Sequence, residues 1–366
     1  MNIKQIKEIA SSFKIKGVPD KISPLGNGLI NDTFLVATTP VESPDYVLQR
    51  INHNVFKDVD LLQDNIASVT DHIRKTLAKK GTPDLSRKTL TIIPALDGKL
   101  YTEADGDFWR MTLYIPDART FNSITPHMAE LTGKAFGEFH SLLSLPDTPP
   151  LKESIPDFHN TPFRIRQLKE AIESNPVGRA KSVEHISSTL LAREEEMTLP
   201  FRLFAEGKLP KRITHCDTKL NNILFDSDET PLCVIDLDTT MPGFVLSDFG
   251  DFMRTAANNG AEDDPDLSKV SFNMDIFRHF ARGYVSTASF LTPEEKLLLP
   301  FGAKMLTYMQ TVRFLTDYIN GDTYYRIEDP QHNLRRTLAQ MELLNDIDRH
   351  MSEMNAFIKS LPDNQQ

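Results

Sequence analysis

The chain has 366 residues, of which 40% are hydrophobic and 25% are charged, and its formal net charge is −10. This length suits two lobes, and the acidic balance disfavours nucleic acid or an anionic membrane as a partner, since both are bound through basic patches. No apolar run approaches the ~18 residues of a membrane span, and the N-terminus lacks the apolar core of a signal peptide, so we expect a cytoplasmic protein.

The first predicted elements are a short helix and a glycine-containing loop. Apolar residues recur at helical spacing over residues 3–13. Gly26 and Gly28 then lie in a loop that leads past Asn31 into a β-prone run. Glycines let backbone N–H groups approach phosphates, so we predict that this loop and Asn31 contact a nucleotide. The alternative is an ordinary hairpin turn, the commoner use of a Gly-x-Gly pattern.

A strand over residues 46–51 comes next, followed by a helix over 58–78 that contains no glutamate. Strand alternation puts Gln49 on one face and Arg50 on the other. Either side chain could reach a phosphate. Three more strands, over 90–93, 99–103 and 108–115, complete an antiparallel sheet in which we expect Trp109 to be a core residue.

The following segments are mostly helical. We predict helices over 126–143, 163–175 and 180–207, with His140 as a core histidine on the first of them. A later helix begins at Ser247 or Asp248 and ends at Gly260, and three or four further helices cover 268–361. Asp248 is the predicted N-cap of its helix, with Asp251 in the first turn.

Residues 213–238 contain a predicted β-hairpin with polar residues around it. Its apolar arms are separated by a segment rich in turn residues. Antiparallel pairing sets Asn222 opposite Ile235 or Asp236, so that one metal ion could touch both polar side chains. Cys216 and Cys233, the only two cysteines, fall in the same stretch, and we expect both to be buried thiols.

Upstream of the hairpin, His215, Asp217, Lys219 and Asn222 have the H-x-D-x-K-x-x-N spacing of a kinase catalytic loop. Phosphoryl transfer needs a carboxylate near the nucleophile, oxygen ligands for a hard cation, and a positive charge on the transferred group. We assign these roles to Asp217, to Asn222 with Asp236 as Mg²⁺ ligands, and to Lys219. The alternative is that the polar residues only cap a turn and end a strand.

These motifs resemble the aminoglycoside phosphotransferase and choline kinase family of small-molecule kinases. Segments 157–162, 215–219, 234–243 and 313–322 are similar to its N-acetylhexosamine 1-kinase subfamily. The resemblance implies an α+β, two-lobed, protein-kinase-like fold. Its nucleotide-binding lobe would be an antiparallel sheet over residues 1–115, and its helical catalytic and substrate-binding lobe would cover 116–366.

The resemblance also implies roles for individual residues. In the family an acid at the position of Asp248 braces the catalytic loop. The backbone at Tyr114 and Ile115 would form the hinge that binds adenine. Gln49 falls where the family carries a phosphate-binding lysine, which puts the usual Lys–Glu pair in doubt. The side chains expected near the acceptor are Arg313, Asp317, Tyr318 and Asp322. For these four the alternative is a set of surface salt bridges closing a helix end.

The implied reaction is ATP-dependent, uses Mg²⁺, and phosphorylates the anomeric hydroxyl of N-acetylglucosamine or N-acetylgalactosamine. Two other interpretations stay open. One is a kinase for another small alcohol or an aminoglycoside; the other is a pseudokinase that binds nucleotide without turnover, suggested by Gln49. We expect a sugar and ATP as the only partners, with no protein, nucleic acid or membrane.

Overall fold

The computed structural model of the protein describes residues 2–26 and 31–362. In chain order the strands are β1 (Val18–Pro24), β2 (Asp32–Thr39), β3 (Tyr46–Ile51), β4 (Ile92–Ile93), β5 (Thr102–Ala104), β6 (Asp107–Leu113), β7 (Arg212–Thr214), β8 (Ile223–Phe225), β9 (Pro231–Val234) and β10 (Met241–Gly243). The α-helices are α1 (Ile3–Ala10), α2 (Val59–Lys79), α3 (Leu85–Lys88), α4 (Pro126–Leu142), α5 (Thr161–Ser174), α6 (Glu184–Leu191), α7 (Glu194–Met197), α8 (Leu199–Ala205), α9 (Val245–Ala256), α10 (Met274–Thr287), α11 (Pro293–Ile319) and α12 (His332–Ser360).

The chain forms two compact units, each built from several segments. The first unit comprises Met1–Thr120, Leu145–Pro156 and Ile223–Met241; the second comprises Phe121–Ser144, Asp157–Asn222 and Pro242–Gln366. The first unit holds the main antiparallel sheet and the second holds the long helices. The predicted α+β class is therefore confirmed, while the division into lobes at residue 115 stays a prediction.

The sheet of the first unit has the strand order β1-β2-β3-β6-β4, with β5 also pairing β6. All of its pairings are antiparallel, and Gln49 on β3 lies opposite Arg110 on β6. Strand β3 has the predicted bounds. Strand β1 was not predicted, because its sequence, VPDKISP, contains two prolines and lacks apolar alternation. Such a strand is tolerated at the edge of a sheet, where β1 lies.

One face of the sheet packs on α1 to form an apolar core. Trp109 is 1% exposed and lies in this core with Val36, Leu48 and Met111. Helix α1 ends at Ala10, earlier than predicted. The predicted core position of Trp109 is confirmed.

The predicted hairpin is β8 and β9. Ile223 pairs with Val234, and the turn closes with a hydrogen bond from the Asp226 amide to the Thr230 carbonyl. Its apolar residues pack with Ile115 in a small cluster of the first unit. Cys216 and Cys233 are buried free thiols, as expected.

In the second unit, glycines allow two pairs of helices to approach closely. A Cβ atom at Gly302 of α11 would overlap the backbone of Leu246 on α9, and one at Gly250 would overlap the backbone of Gly302. Gly133 of α4 and Gly283 of α10 face the partner helix's backbone in the same way. Since only glycine fits a backbone approach this close, these residues determine the two helix crossings.

Two helix predictions in the second unit are also wrong in detail. The predicted helix over 180–207 is a 3₁₀ turn followed by α6, α7 and α8, with Pro200 in the first turn of α8, where proline is well accommodated. Helix α9 begins at Val245 and ends at Ala256, so it starts before Ser247 and stops short of Gly260. Within the described residues, no helix is both long and apolar enough to cross a membrane.

Candidate active site

The loop that follows β7 brings three predicted catalytic side chains together. The Nδ2 of Asn222 donates hydrogen bonds to the Asp217 carboxylate (3.1 Å) and to its backbone carbonyl (2.8 Å). Lys219 Nζ lies 2.5 Å from the other carboxylate oxygen, and the Asp217 side chain is 28% exposed. The sequence spacing therefore produces a cluster that contains an accessible carboxylate.

Charge interactions keep both members of the Asp217–Lys219 pair ionised at neutral pH. Burial by itself raises the pKa of Asp217, but the charge and hydrogen bond of Lys219 bring that pKa below its usual value. Burial likewise lowers the pKa of Lys219, and Asp217 raises it above the ordinary value. A carboxylate that can accept a proton thus lies beside an ammonium group that can meet phosphate oxygen.

Asp248 holds the backbone of the predicted catalytic loop, residues 215–222. It is 1% exposed and accepts hydrogen bonds from the amides of His215 (2.5 Å) and Cys216 (2.9 Å) and from the ring of His140 (2.8 Å). The other ring nitrogen of His140 bonds the Tyr284 hydroxyl at 2.9 Å. Cys216 has a φ of 61°, a left-handed conformation that non-glycine residues rarely adopt. The two hydrogen bonds that backbone amides donate to Asp248 stabilise the loop in this conformation.

The predicted N-cap role of Asp248 is wrong. The N-cap of α9 is Phe244, with no side-chain hydrogen bond to the helix end, and Asp248 already lies in the first turn. Asp251 lies one turn further on and accepts a hydrogen bond from the Thr218 amide at 3.1 Å, with Arg254 3.2 Å away. Burial raises the pKa of Asp251 despite Arg254. Both acids act on the catalytic loop instead of the helix end.

A pocket in the first unit is lined by a network centred on Asp238. One carboxylate oxygen of Asp238 pairs with the Arg110 guanidinium, and the other accepts a hydrogen bond from Asn31 Nδ2 at 2.7 Å. Arg110 Nε donates to Gln49 Oε1 at 3.0 Å. Asp236 lies on the same pocket wall in a left-handed conformation, with a φ of 59°.

The predicted metal ligands have suitable chemistry for a hard cation. Asn222 turns its Nδ2 towards Asp217, so its oxygen is the end of the amide that a cation could bind. Asp236 is exposed and offers a carboxylate. Mg²⁺ prefers oxygen ligands of these two kinds. Their joint action on one metal ion stays a prediction.

A family model described as the APH phosphotransferase enzyme family matches residues 21–284, most of the chain. The chain belongs to this family. As an APH-family member the protein is a small-molecule phosphotransferase, and the family implies the use of ATP and a divalent cation.

Several solved structures share this fold, and each match extends over nearly the whole of this chain. An aminoglycoside phosphotransferase from Alicyclobacillus acidocaldarius is 12% identical, with 97% of this chain and 96% of that chain covered and a TM-score of 0.60. The amicoumacin kinase in complex with AMP-PNP, Ca²⁺ and Ami is 12% identical, with 98% and 93% covered and a TM-score of 0.58. A choline/ethanolamine kinase family protein from Mesorhizobium loti is 18% identical, with 92% and 93% covered and a TM-score of 0.53. These matches confirm the predicted kinase-like fold.

The residues predicted to bind nucleotide in this phosphotransferase fall in different places. Gln49 lines the pocket, whereas Arg50 pairs with Asp107 at 3.1 Å outside it. Gly26 has a φ of 72°, which suits a turn after β1, and Gly28 lies outside the described residues. A nucleotide-binding role for each of these residues stays a prediction.

At the predicted hinge, the Tyr114 amide donates to the Asp45 carbonyl at 3.0 Å, and Ile115 is 4% exposed against the hairpin. The Tyr114 N–H is therefore already engaged within the first unit. Adenine recognition by this backbone stays a prediction.

Arg313 lies among aromatic rings in the second unit. Its guanidinium carbon is 5.5 Å from the ring centres of Phe158 and Tyr325 and 5.7 Å from that of Tyr324. It also donates a hydrogen bond to Gln310 at 3.0 Å. Face-on contacts of this kind hold a guanidinium in place and leave its edge available for hydrogen bonds.

Asp317 organises the loop that carries two of these aromatic rings. It is 4% exposed, accepts backbone hydrogen bonds from Thr323, Tyr324 and Tyr325 between 2.8 and 3.0 Å, and takes one from Asn333 at 2.8 Å. Its carboxylate thus has four N–H donors within the protein. Asp317 shapes the loop, and its predicted contact with an acceptor is not tested by this geometry.

Asp322 and Tyr318 have structural partners in the same loop region. Arg179 pairs with the Asp322 carboxylate at 2.5 Å and covers the Tyr318 ring at 4.5 Å. Asp322 also accepts from Asn333 at 2.9 Å, and its side chain is 3% exposed. Of the four predicted acceptor-binding residues, Arg313 is therefore the one whose surroundings best leave it able to contact a ligand.

Two residues with unusual surroundings, one in each unit, were not predicted as site residues. Arg110 was overlooked because a single charge within an apolar strand carries little information, although the second acid of Ile235-Asp236-Leu237-Asp238 could have indicated a partner. His159 was noted only as part of a family-like segment. Its Nδ1 is buried without a hydrogen-bond partner among the described residues, and burial lowers its pKa to about 4.

Proposed function

We propose that the protein is an ATP-dependent kinase that phosphorylates the anomeric hydroxyl of N-acetylglucosamine or N-acetylgalactosamine and yields the sugar 1-phosphate. The observation that carries the proposal is the ionised, partly exposed carboxylate of Asp217 beside Lys219. An anomeric hydroxyl is more acidic than an ordinary alcohol, so a carboxylate of modest basicity suffices as the base. The similarity of segments 157–162 and 313–322 to hexosamine kinases supports the choice of sugar.

In this reaction Asp217 accepts the proton of the acceptor hydroxyl as that oxygen attacks the γ-phosphorus. The bond between the γ-phosphorus and the bridging oxygen breaks, and ADP leaves. Lys219 neutralises charge that develops on the transferred group. Asn222 and Asp236 would hold Mg²⁺, which supplies charge neutralisation on the phosphates. We place the reaction in the cytoplasm, where ATP is available.

On the acceptor side we assign direct contact to Arg313, with Tyr324 and Tyr325 beside it. Aromatic faces and hydrogen-bond donors suit a neutral sugar, which has both apolar C–H faces and hydroxyl groups. We further propose that Asp317, Tyr318 and Asp322 act through the shape of their loop. His159 stacks on Phe158, whose ring also contacts Arg313. A ring nitrogen of His159 lies within 4.8 Å of Cys216 Sγ, and Cys216 precedes Asp217 in the chain.

The second candidate is a kinase for a cationic acceptor such as choline or an aminoglycoside. Relatives of similar fold carry such names. Arg313 disfavours this alternative, because Arg164, a second cation, lies close enough to it for the two charges to repel. The nearby carboxylates of Asp317 and Asp322 are already engaged.

A coupled assay of ADP release tests the proposal. The acceptors would be N-acetylglucosamine, N-acetylgalactosamine, glucose, galactose, choline and spectinomycin. We expect turnover with the N-acetylhexosamines and a 1-phosphate product by ³¹P NMR. Their 1-O-methyl glycosides, which lack the anomeric hydroxyl, should give none.

Three outcomes would count against the assignment. Turnover of the methyl glycosides would place the reaction at another hydroxyl. Turnover of choline or spectinomycin alone would replace the sugar with a cationic acceptor. Nucleotide binding without turnover of any acceptor would favour the pseudokinase interpretation.

A further inference from the structure

Arg164 and Arg313 are two cations of the second unit, close enough for their charges to repel, and we call them the arginine pair. Arg164 donates hydrogen bonds to the Gln167 side chain (2.9 Å) and to the Phe158 carbonyl (3.2 Å). Arg313 donates to the Gln310 side chain at 3.0 Å. All these acceptors are neutral, and within residues 2–26 and 31–362 neither guanidinium forms an ion pair with a carboxylate.

The surroundings of Arg164 leave its charge poorly compensated. Its Nε is buried and has no hydrogen-bond partner in the described part of the chain. Burial lowers the pKa of Arg164 to about 10, and the charge of Arg313 acts in the same direction, so the side chain is still a cation at neutral pH. A partly buried charge without a counter-charge costs free energy, which an anionic ligand would offset.

The acids near the arginine pair do not neutralise it. Asp317 lies one turn along α11 from Arg313, but its carboxylate already accepts hydrogen bonds from four N–H groups. Asp322 is engaged in an ion pair of its own. Asp157 favours the charge of Arg164, but it acts less strongly than Arg313 acts against that charge. The arginine pair therefore keeps a net positive charge, although the whole chain carries −10.

The arginine pair lies near the catalytic loop on a surface that solvent can reach. Phe158 contacts both arginines and stacks on His159, which in turn approaches Cys216 of the loop. On the other side of Arg313, the Tyr324 ring is 67% exposed. A ligand from solvent can thus meet the arginine pair while it adjoins the loop that carries the proposed base.

We propose that the arginine pair binds an acidic group of the acceptor, so that the preferred substrate is an N-acetylhexosamine with a carboxylate or a phosphate at C6. The inference rests on the proposed function in taking the anomeric hydroxyl as the acceptor. That hydroxyl faces Asp217, so the acid lies at a part of the sugar remote from the anomeric carbon. C6 is a remote carbon that becomes acidic on oxidation or phosphorylation.

The two arginines have different parts in this recognition. Aromatic rings hold the Arg313 guanidinium and leave its edge available, and such an edge matches carboxylate or phosphate oxygens with paired hydrogen bonds. Arg164 supplies the second positive charge. A neutral N-acetylhexosamine uses the same surface without this electrostatic contribution, so it is a substrate of lower kcat/KM.

Steady-state kinetics on two matched pairs of acceptors test this inference. The first pair is 2-acetamido-2-deoxyglucuronic acid and its neutral C6 amide; the second is N-acetylglucosamine 6-phosphate and N-acetylglucosamine. We expect kcat/KM of each acid to exceed that of its neutral partner by roughly 10- to 100-fold, the range for hydrogen bonds to a charged group. Inorganic phosphate, a free anion, should inhibit only weakly and in competition with the acids.

Variants of the arginine pair separate charge recognition from other effects. Arg164→Met should bring the acid-to-neutral ratio close to one and keep kcat/KM of the neutral sugars within a few-fold of the wild type. Arg313→Lys should keep more of the ratio than Arg313→Met, because it keeps the charge. Arg282→Met, which removes a charge from a side chain that is 49% exposed, is the matched control and should keep the wild-type ratio.

Thermal unfolding distinguishes this role from a structural one. Arg164→Met leaves no carboxylate without its cation, so its Tm should equal or exceed that of the wild type. The acid sugars should raise the Tm of the wild type more than that of Arg164→Met. A variant that loses both stability and the turnover of neutral sugars would indicate that Arg164 is structural and would overturn its assigned role.

The inference is overturned if the wild type turns over each acid no better than its neutral partner. Tight inhibition by inorganic phosphate without a preference for acid sugars would indicate a site for free anions and would overturn it as well. So would folded Arg164→Met and Arg313→Met proteins that keep the preference. In all these cases turnover of N-acetylglucosamine still supports the proposed function, whereas a wild type that turns over no sugar would overturn both.

Discussion

Asp217 is held ionised by neighbours that lie within five residues of it in the chain. Lys219 lowers its pKa, and Asn222 donates a hydrogen bond to it that also favours the charged form. The base that we propose is therefore already ionised at neutral pH, and it lies beside the lysine that we propose as the phosphate contact. In the proposed reaction, proton acceptance and charge neutralisation thus depend on one small cluster of side chains.

We expect Asp217→Asn to lower kcat by about 10²- to 10⁴-fold, the usual contribution of a general base, because an amide cannot accept the proton. AMP-PNP binding should stay within a few-fold of the wild type, since Asp217 acts on the acceptor. Steady-state kinetics and calorimetry measure the two quantities. Asp228→Asn, in the exposed turn of the hairpin, is the matched control and should leave both unchanged. If Asp217→Asn retained more than about a tenth of the wild-type kcat, Asp217 would not be the base.

Helix α9 carries two acidic side chains that bind the backbone of the catalytic loop. It presents two acids that are three residues apart, and so on one face, to the loop: Asp248 accepts from the amides of residues 215 and 216, and Asp251 accepts from that of residue 218. The position of α9 therefore determines the position of the loop. In the same unit, α9 packs against α11 through Gly250 and Gly302.

Gly302→Ala should lower the free energy of unfolding by about 1–3 kcal/mol, the usual cost of overpacking, because its Cβ would overlap the backbone of Leu246 on α9. Urea unfolding measures this change. Leu297→Ala is a control on the same helix, where the leucine is 46% exposed, and it should cost about 0.5 kcal/mol or less. A Gly302→Ala protein as stable as the wild type would mean that α9 and α11 tolerate a wider separation.

At the scale of the whole molecule, buried titratable groups couple stability to pH. Burial lowers the pKa of His159 from 6.5 to about 4, so the folded protein resists protonation of this ring. Below pH 6.5 the unfolded chain binds a proton that the folded chain does not, and stability falls as the pH decreases. Asp248 also has a lowered pKa, but its contribution is lost only at lower pH, below the usual range of a carboxyl group.

We therefore expect the wild type to lose up to about 3 kcal/mol of unfolding free energy through His159 between pH 6.5 and pH 4, at 1.36 kcal/mol per unit of pKa difference. His159→Asn should show a correspondingly smaller dependence on pH over this window. The measurement is urea unfolding at several pH values. His185→Asn, at an exposed histidine, should keep the wild-type dependence. Identical pH profiles for wild type and His159→Asn would show that the folded state protonates His159 readily.

The sequence by itself determined the features that depend on neighbours in the chain. The hairpin of β8 and β9 was predictable because two apolar arms flank a turn. The cluster of Asp217, Lys219 and Asn222 was predictable because its members lie within six residues, so the local path of the loop brings them together. The α+β class was implied by the family resemblance, and strand-like segments early in the chain with helical ones later agreed with it.

Only the tertiary structure decided the contacts between distant segments. Arg110 and Asp238 are 128 positions apart, and Asn31 and Asp238 are 207 apart, so neither pairing has a signal at short range. Asp248 matched the local preference for an N-cap, yet the free energy gained by satisfying two buried amides of the catalytic loop outweighed that preference. Local preferences are worth about 1 kcal/mol, and burying a polar group without a partner costs as much or more. Contacts formed in the tertiary structure therefore decide which partner each of these side chains has.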